Sequence, residues 1–163
     1  MFHIGDVIIY SEHGLCEIED ICEKTIYDVT RTYYVMHPLG DTKLTISTPV
    51  DSDKVLMLEL LNRDDAMEII DSFKEPGAKW IEDIRQRNMK YHTVVKSGNR
   101  KDIAQIANTL MRKEREFGQN NKKLYDQDRK LLNTIQTILF TELATSLDTN
   151  VEEIRNRITS VIL

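Results

Sequence analysis

The chain is poor in residues that mark several protein classes. Its 163 residues include only two cysteines, three prolines and six glycines. Cys16 and Cys22 are too few for a disulfide framework or a four-ligand zinc site, and such sparse thiols fit a reducing cytoplasm. No apolar run approaches the roughly 18 residues that a membrane-spanning helix needs, and the N-terminal stretch MFHIGDVIIY has no basic region typical of a signal peptide. We therefore expect a cytoplasmic protein with no membrane association, of one domain or two small ones.

The chain also lacks the patterns of catalytic and metal centres. Its histidines are scattered, its glycines occur singly, and no Ser-His-Asp order with usable spacing is present. We predict that the protein is not an enzyme and that it uses no metal or other cofactor. A metal or thiol site formed by His13, Cys16 and Cys22 is an alternative, which bound zinc or a redox-dependent response would reveal.

Charge, in contrast, is present in an uneven distribution. The net charge is -5, but residues 1–74 carry 6 Lys and Arg against 15 Asp and Glu, whereas residues 75–163 carry 16 against 12. Segment 79–130 alone holds 14 basic and 7 acidic side chains. This division favours an acidic module joined to one that faces nucleic acid, although an ordinary solvated helix surface gives the same count.

Secondary-structure signals divide the chain near the same place. Short β-branched and aromatic runs between turn residues predict a small bent sheet or partial barrel with strands at 7–10, 15–21, 32–36, 44–47 and 55–57. From about residue 58 the apolar period becomes 3.6, which predicts helices at 62–73, 79–96, 99–117, 124–147 and from 150 onward. The predicted fold is α+β, with a five-stranded β module over 1–53, a linker over 54–61 and a compact five-helix domain over 62–163.

Trp80 is the one residue of the helical half whose position suggests binding. On a helix over 79–96 it lies at the shoulder of the apolar stripe, with Arg87 on the same side and Lys79 and Lys90 flanking it. A large ring beside cations can stack on a base or enter between bases while the cations hold phosphates. A tryptophan packed under the loop at 76–77 is the alternative interpretation.

Several motifs then follow one another along nearly the whole chain. They are FHIGDVIIY at 2–10 with HG at 13–14, LTISTP at 44–49, Trp80, SGN at 97–99, IA at 103–104, Leu110 with Arg112-Lys113, EFG at 116–118 and ILFTELA at 138–144. In this order they resemble the CarD/CdnL family of bacterial transcription regulators. The N-terminal motif alone is weakly specific, because transcription-repair coupling factors carry a similar module, but the ordered set is specific.

The resemblance implies two activities. A Tudor-like N-terminal module would bind the β subunit of RNA polymerase by pairing at a strand edge. The helical module would reach the upstream edge of the transcription bubble, where Trp80 would enter the minor groove without sequence specificity and stabilise the open promoter complex.

Site residues follow by position. The resemblance implies that Lys24 and Ser47 contact the polymerase with Ile26 as an apolar neighbour, beside the strand residues Ile46 and Pro49. It also implies that Trp80 and Arg85 contact DNA. The helical wheel adds three further cations to the DNA-binding set, namely Lys79, Arg87 and Lys90.

Two features depart from the family pattern. Ser47 is uncharged where other members have arginine, and Glu82 and Asp83 stand where others are basic, which should weaken DNA contact by about 1 kcal/mol for each acidic residue. The alternative function is an adaptor that docks on the polymerase while its helical domain binds another protein, with Trp80 as the anchor. We expect the protein to be a monomer.

Overall fold

The computed structural model describes residues 1–162 and divides them into two compact units. Unit 1 spans Met1–Leu60 and contains the strands, and unit 2 begins at Leu61 and contains the α-helices. The described residues form five strands followed by five α-helices, which is the α+β arrangement predicted from the sequence.

Unit 1 is built on one antiparallel sheet. Apolar residues alternate along its strands and place Ile8, Cys16, Ile18, Tyr34 and Met36 together in a core. The sheet order is β4-β3-β2-β1-β5, where the strands are β1 Val7–Tyr10, β2 Gly14–Ile26, β3 Val29–Pro38, β4 Ile46–Pro49 and β5 Met57–Glu59.

β5 lies inside segment 54–61, which the sequence analysis assigned to a linker. It pairs with β1, and Met57 lies opposite Tyr10. Part of this segment therefore belongs to the sheet of unit 1. The strand predicted at 55–57 thus exists but is shifted by two residues, because three residues carry too little alternation to fix the bounds of a strand.

β2 and β3 form a hairpin much longer than the predicted strands at 15–21 and 32–36. They are joined by Tyr27 and Asp28, whose φ angles of 50° and 63° are both left-handed. Two successive positive φ angles are typical of a type I′ turn, which is usually recognised by Asn-Gly or Asp-Gly. Turn residues at 27–30 separate the two predicted strands in the sequence, so the position of this turn was predicted although neither central residue is glycine.

Unit 2 packs the apolar faces of its helices around one core. Asn62 is the N-cap of the first helix, and its side chain accepts a hydrogen bond from the Asp65 N–H at 2.8 Å. Gly118, predicted to end a helix, lies inside one. The helices are α1 Arg63–Ser72, α2 Ile84–Ser97, α3 Arg100–Gln119, α4 Asp126–Ser146 and α5 Val151–Ile162. Within residues 1–162, no helix combines the length and hydropathy needed to cross a bilayer.

α2 begins at Ile84, whereas the sequence predicted a start at residue 79. Asp83 has extended backbone, and its side chain accepts a hydrogen bond from the Gln86 N–H at 2.9 Å, so Asp83 is the N-cap. Trp80 therefore lies in the segment before α2, and a helical wheel does not give its neighbours.

Candidate functional site

β4 is an edge strand of unit 1, with β3 on one side and no sheet partner among the described residues on the other. Ser47 lies opposite Val35, and three residues later the Val50 N–H donates to the Thr32 carbonyl at 3.0 Å. Bonded and non-bonded pairs alternate along antiparallel strands, so Val50 faces β3 whereas Ser47 and Pro49 direct their backbone groups to the open edge. The edge therefore offers the Ser47 N–H and C=O and the Pro49 C=O to a further strand.

The structure brings together two residues that the sequence analysis assigned to the polymerase, Lys24 and Ser47. The Lys24 Nζ donates to the Ser47 Oγ at 2.7 Å and lies 5.8 Å from the centre of the Tyr33 ring. Ile26 lies two residues beyond Lys24 on the same face of β2 and is 48% exposed. An ammonium group, a hydroxyl group and an apolar side chain thus share the surface that adjoins the open edge.

Ile46 does not belong to this surface. It lies opposite Met36 in the register, and its side chain packs against the core of unit 1. The alternation that directs Ser47 outward directs the backbone groups of Ile46 towards β3. Ile46 is partly buried and contributes packing, and its assignment to the polymerase-binding set stays a prediction.

In unit 2, Trp80 lies in a short segment without regular secondary structure, residues 77–83, that is held at several points. Gly77 has φ +84°, and a Cβ there would lie 3.0 Å from the Thr109 Oγ1. The Ala78 N–H donates to the same oxygen at 2.8 Å, and the Ile81 carbonyl accepts from Arg87 Nη1 at 2.7 Å. Contacts on both sides of Trp80 therefore fix the backbone that presents its ring.

Arg87 is buried, with 1% of its surface exposed, and this corrects its assignment as a phosphate contact. Its Nε and Nη2 donate to the carboxylate of Asp128, with the shortest distance 2.6 Å at Oδ2. The hydrogen bonds to Asp128 raise the pKa of Arg87, so the guanidinium is charged throughout the ordinary pH range. Its Cζ lies 4.3 Å from the centre of the Trp80 ring, which makes Arg87 a support for the ring.

Trp80 itself is half-buried. One side packs against the core, and its ring meets the edge of Phe117 with 6.1 Å between the ring centres. The Lys113 Nζ lies 5.3 Å from the centre of the Trp80 ring and 3.2 Å from Glu116 Oε2. Trp80 can therefore both pack against unit 2 and bind a ligand, because part of its ring is held by the core and part is accessible.

The other predicted DNA-binding cations are exposed but differ in their relation to Trp80. Lys79 is its chain neighbour, while Arg85 and Lys90 lie on α2. Arg85 precedes Arg87 by two positions and therefore lies about 160° away from it around the helix. Because Arg87 faces Trp80, Arg85 lies on the side of α2 away from the ring.

Two known protein families match this chain, one in each of its two units. Residues 2–60 match the CarD-like/TRCF RID domain, and residues 68–159 match the CarD C-terminal domain. The chain belongs to the CarD family. The resemblance inferred from the ordered motifs is therefore confirmed.

One similar protein adds a functional description. "Putative transcription factor YdeB" of Bacillus subtilis (strain 168) is 27% identical over 146 residues, which cover 88% of this chain and 90% of that protein. With the two domain matches, this similarity supports a transcription regulator.

The cysteines of this CarD-family protein do not form a joint site. Cys16 is fully buried in the core of unit 1, whereas half-exposed Cys22 lies opposite Tyr33 on the outer face. Burial raises the pKa of the Cys16 thiol to about 11. Among residues 1–162, no group of three or more His, Cys, Asp or Glu side chains is arranged to hold a metal ion.

The residues that sequence reasoning missed are Lys113, Asp128 and Tyr125. Lys113 was noted only as part of a family motif, and its position beside Trp80 depends on how α3 packs. Asp128 was interpreted as a helix-start charge, although it is buried and pairs with Arg87 from 41 residues away. Tyr125 precedes α4, and its Ile84 and Leu124 neighbours become visible only in the fold.

Proposed function

We propose that this regulator binds the β subunit of RNA polymerase through unit 1 and stabilises the open promoter complex through unit 2. The DNA contact is made without sequence specificity in the minor groove, at the upstream edge of the bubble. One chain acts per polymerase. The observation that carries the proposal is the position of Trp80, half-exposed and supported by Arg87 and Phe117, with the Lys113 ammonium beside it.

A ring in this position suits a wedge. Side chains that enter the minor groove partly unstack a base step, which costs a few kcal/mol, so the ring must be held firmly. The stacked guanidinium of Arg87 and the fixed backbone of residues 77–83 provide that support. Lys79 and Lys113 are placed to contact phosphates beside the entry point.

Of the two acidic residues that follow Trp80, one has a structural role. Asp83 caps α2, so its carboxylate is engaged with the Gln86 N–H at the positive end of the helix. Glu82 is exposed, and it remains a source of repulsion from phosphates. A weak grip on DNA is sufficient if unit 1 is docked, because tethering raises the effective DNA concentration to about the millimolar range.

The polymerase contact uses the open edge of β4. An added strand pairs with the Ser47 N–H and C=O and the Pro49 C=O, which is the geometry of recognition by strand addition. Lys24 and Ile26 lie beside that edge and contact the side chains of the added strand. The edge gives affinity through backbone hydrogen bonds, and the flanking side chains give specificity.

The lifetime of open promoter complexes tests both halves. Complexes are formed with the cognate polymerase alone, with the wild-type protein, and with Trp80→Ala, Lys24→Glu, Met89→Ala and Lys54→Glu variants. The last two are matched controls, since Met89 is an apolar residue of α2 that is 72% exposed and Lys54 is an exposed lysine of unit 1 outside β4.

We expect the wild-type protein to lengthen the lifetime. Trp80→Ala should lose this effect and still bind polymerase, whereas Lys24→Glu should bind polymerase less tightly. Both control variants should match the wild type. If Trp80→Ala lengthens the lifetime as the wild type does, the DNA wedge is wrong and the adaptor function takes its place.

A further inference from the structure

A second aromatic ring, besides that of Trp80, lies beside the buried guanidinium of Arg87. Its Cζ lies 5.9 Å from the centre of the Tyr125 ring and 4.3 Å from that of Trp80. The two aromatic side chains are therefore neighbours across one buried cation. Tyr125 is 58% exposed, so most of its ring is turned to solvent.

The backbone of Tyr125 is fixed although its ring is exposed. Leu124 on one side is 5% exposed and belongs to the core of unit 2, and the Asp128 carboxylate on the other side binds Arg87. The Tyr125 carbonyl accepts the first hydrogen bond of α4 from the Arg129 N–H at 3.0 Å. An aromatic ring on a fixed backbone loses little conformational freedom when a flat ligand stacks on it.

A recess adjoins this ring. It has a volume of about 510 Å³ and is lined by Ile84, Leu124, Tyr125, Asp126 and Gln127. This volume falls within the range of about 300–1,000 Å³ common for ligand sites. Apolar side chains and an aromatic wall suit the faces of a nucleobase, and the Gln127 amide can bond to a base edge.

The charges around the recess are mixed, with basic residues on one side of it. Lys122 and Lys123 are exposed immediately before it, at the start of the approach to α4. Asp126 at its rim pairs with Arg129 at 2.9 Å, which offsets its negative charge. Glu82 and Asp83 precede Ile84 in the chain and are the acidic residues that oppose binding there.

We propose that Tyr125 is a second base-stacking residue and that the recess beside it takes one unpaired nucleobase at the upstream edge of the bubble. The ligand is a single-stranded base, because a base within a duplex is covered on both faces and cannot enter a recess. This inference rests on the proposed function, in which Trp80 enters the same DNA. Trp80 opens the step, and Tyr125 holds a base that the opening releases.

The experiment uses open complexes on promoters that carry 2-aminopurine at successive positions of the upstream bubble edge. Stacking quenches the fluorescence of this base analogue. The variants are Tyr125→Ala, Tyr125→Phe and Trp80→Ala, with Met89→Ala as the control for removing an exposed apolar side chain from unit 2. Complex lifetimes are recorded in the same samples.

We expect the wild type and Tyr125→Phe to quench one position equally, because stacking requires the ring and not the hydroxyl group. Tyr125→Ala should lose this quenching and shorten the lifetime by about fivefold or more, in line with the energy of base–aromatic stacking. Trp80, the only tryptophan, reports whether the variant disturbs its neighbour, and its emission in the free protein should not change.

Four results would overturn the inference. They are quenching that survives in Tyr125→Ala, a Tyr125→Phe variant as defective as Tyr125→Ala, an altered Trp80 emission in Tyr125→Ala, and a Met89→Ala variant with the same defect. If Trp80→Ala shortens the lifetime and Tyr125→Ala does not, the inference fails alone. If neither variant changes the lifetime, the proposed function fails with it.

Discussion

The guanidinium carbon of Arg87 lies 4.3 Å from the centre of the Trp80 ring. The same group donates to the Asp128 carboxylate on α4 and to the Ile81 carbonyl in the segment before α2. A cation over an aromatic face is attracted by the ring quadrupole, and the attraction is stronger where water is excluded. The position of Trp80 therefore depends on a buried ion pair between two helices.

Asp128→Ala should destabilise unit 2 strongly. The substitution leaves the Arg87 guanidinium buried without its counter-charge, and breaking such a pair costs about 3–5 kcal/mol. Urea unfolding followed by Trp80 emission should show this loss, together with a changed emission of the folded state. Asp126→Ala is the matched control on the same helix, because its pair with Arg129 is solvent-exposed and should be worth less than about 1 kcal/mol. Equal losses in the two variants would contradict the role given to the buried pair.

Lys113→Gln should shorten the open-complex lifetime by about two- to fivefold at moderate salt. The variant removes the positive charge whose Nζ lies 5.3 Å from the Trp80 ring, in a position to contact a phosphate. If Lys113 contacts one phosphate, the slope of log affinity for DNA against log salt should fall by about 1. Lys101→Gln, which alters an exposed lysine at the other end of α3, should leave both quantities unchanged. A salt slope equal to that of the wild type would place Lys113 outside the DNA contact.

Ser47→Arg should strengthen polymerase binding by about two- to fivefold at low salt. The residue lies at the open edge of β4, and an added arginine there restores the charge that the family pattern carries. The gain should fade as salt screens the surface charge. Titration of the polymerase at two salt concentrations measures the effect, and Thr42→Arg adds the same charge outside β4 as a control. If both variants gain equally, the effect is due to net charge and not to the edge.

Cys16 should make the stability of unit 1 depend on alkaline pH. Burial raises the pKa of its thiol from 9.0 to about 11, so the unfolded chain releases this proton at lower pH than the folded chain does. The unfolding free energy should therefore be unaffected below pH 9 and fall as the pH rises to about 11. The total fall is about 2.7 kcal/mol at most, from 1.36 kcal/mol for each pKa unit.

The comparison that isolates this effect is between wild type, Cys16→Ala and Cys22→Ala in urea unfolding monitored by circular dichroism. Cys16→Ala should show a weaker loss of stability between pH 9 and 11 than the wild type. Cys22→Ala should follow the wild type, since this thiol is only half-buried. An unchanged pH dependence in Cys16→Ala would show that the buried thiol does not contribute.

The sequence predicted those parts of the fold that depend on local pattern. β1 occupies the predicted residues, and the five helices follow from the 3.6-residue apolar period. The hairpin turn at Tyr27-Asp28 lies within the predicted turn residues 27–30, whereas the length of the two hairpin strands was underestimated. The start of α2 was placed too early because the apolar pattern continues from Trp80 through Ile84, whereas the helix begins only after its N-cap, Asp83.

The site was predictable only where a motif named a residue. Trp80, Lys24 and Ser47 were assigned in this way, and the contact of Lys24 with Ser47 joins residues that are 23 positions apart. Arg87 does lie beside Trp80, but the helical wheel that suggested this assumed a helix that begins before Trp80, and it could not show that Arg87 is buried. That depends on Asp128, and no local pattern links the two positions.

The pairing of Arg87 with Asp128 also bears on how the sequence can drift. A lineage that loses one member first passes through a poorly folded intermediate, whereas an apolar pair of similar volume is tolerated once both have changed. Substitutions at the two positions should therefore occur together. Relatives with a neutral residue at one position should show a compensating replacement at the other, and the exchange should occur together with a different residue in place of Trp80.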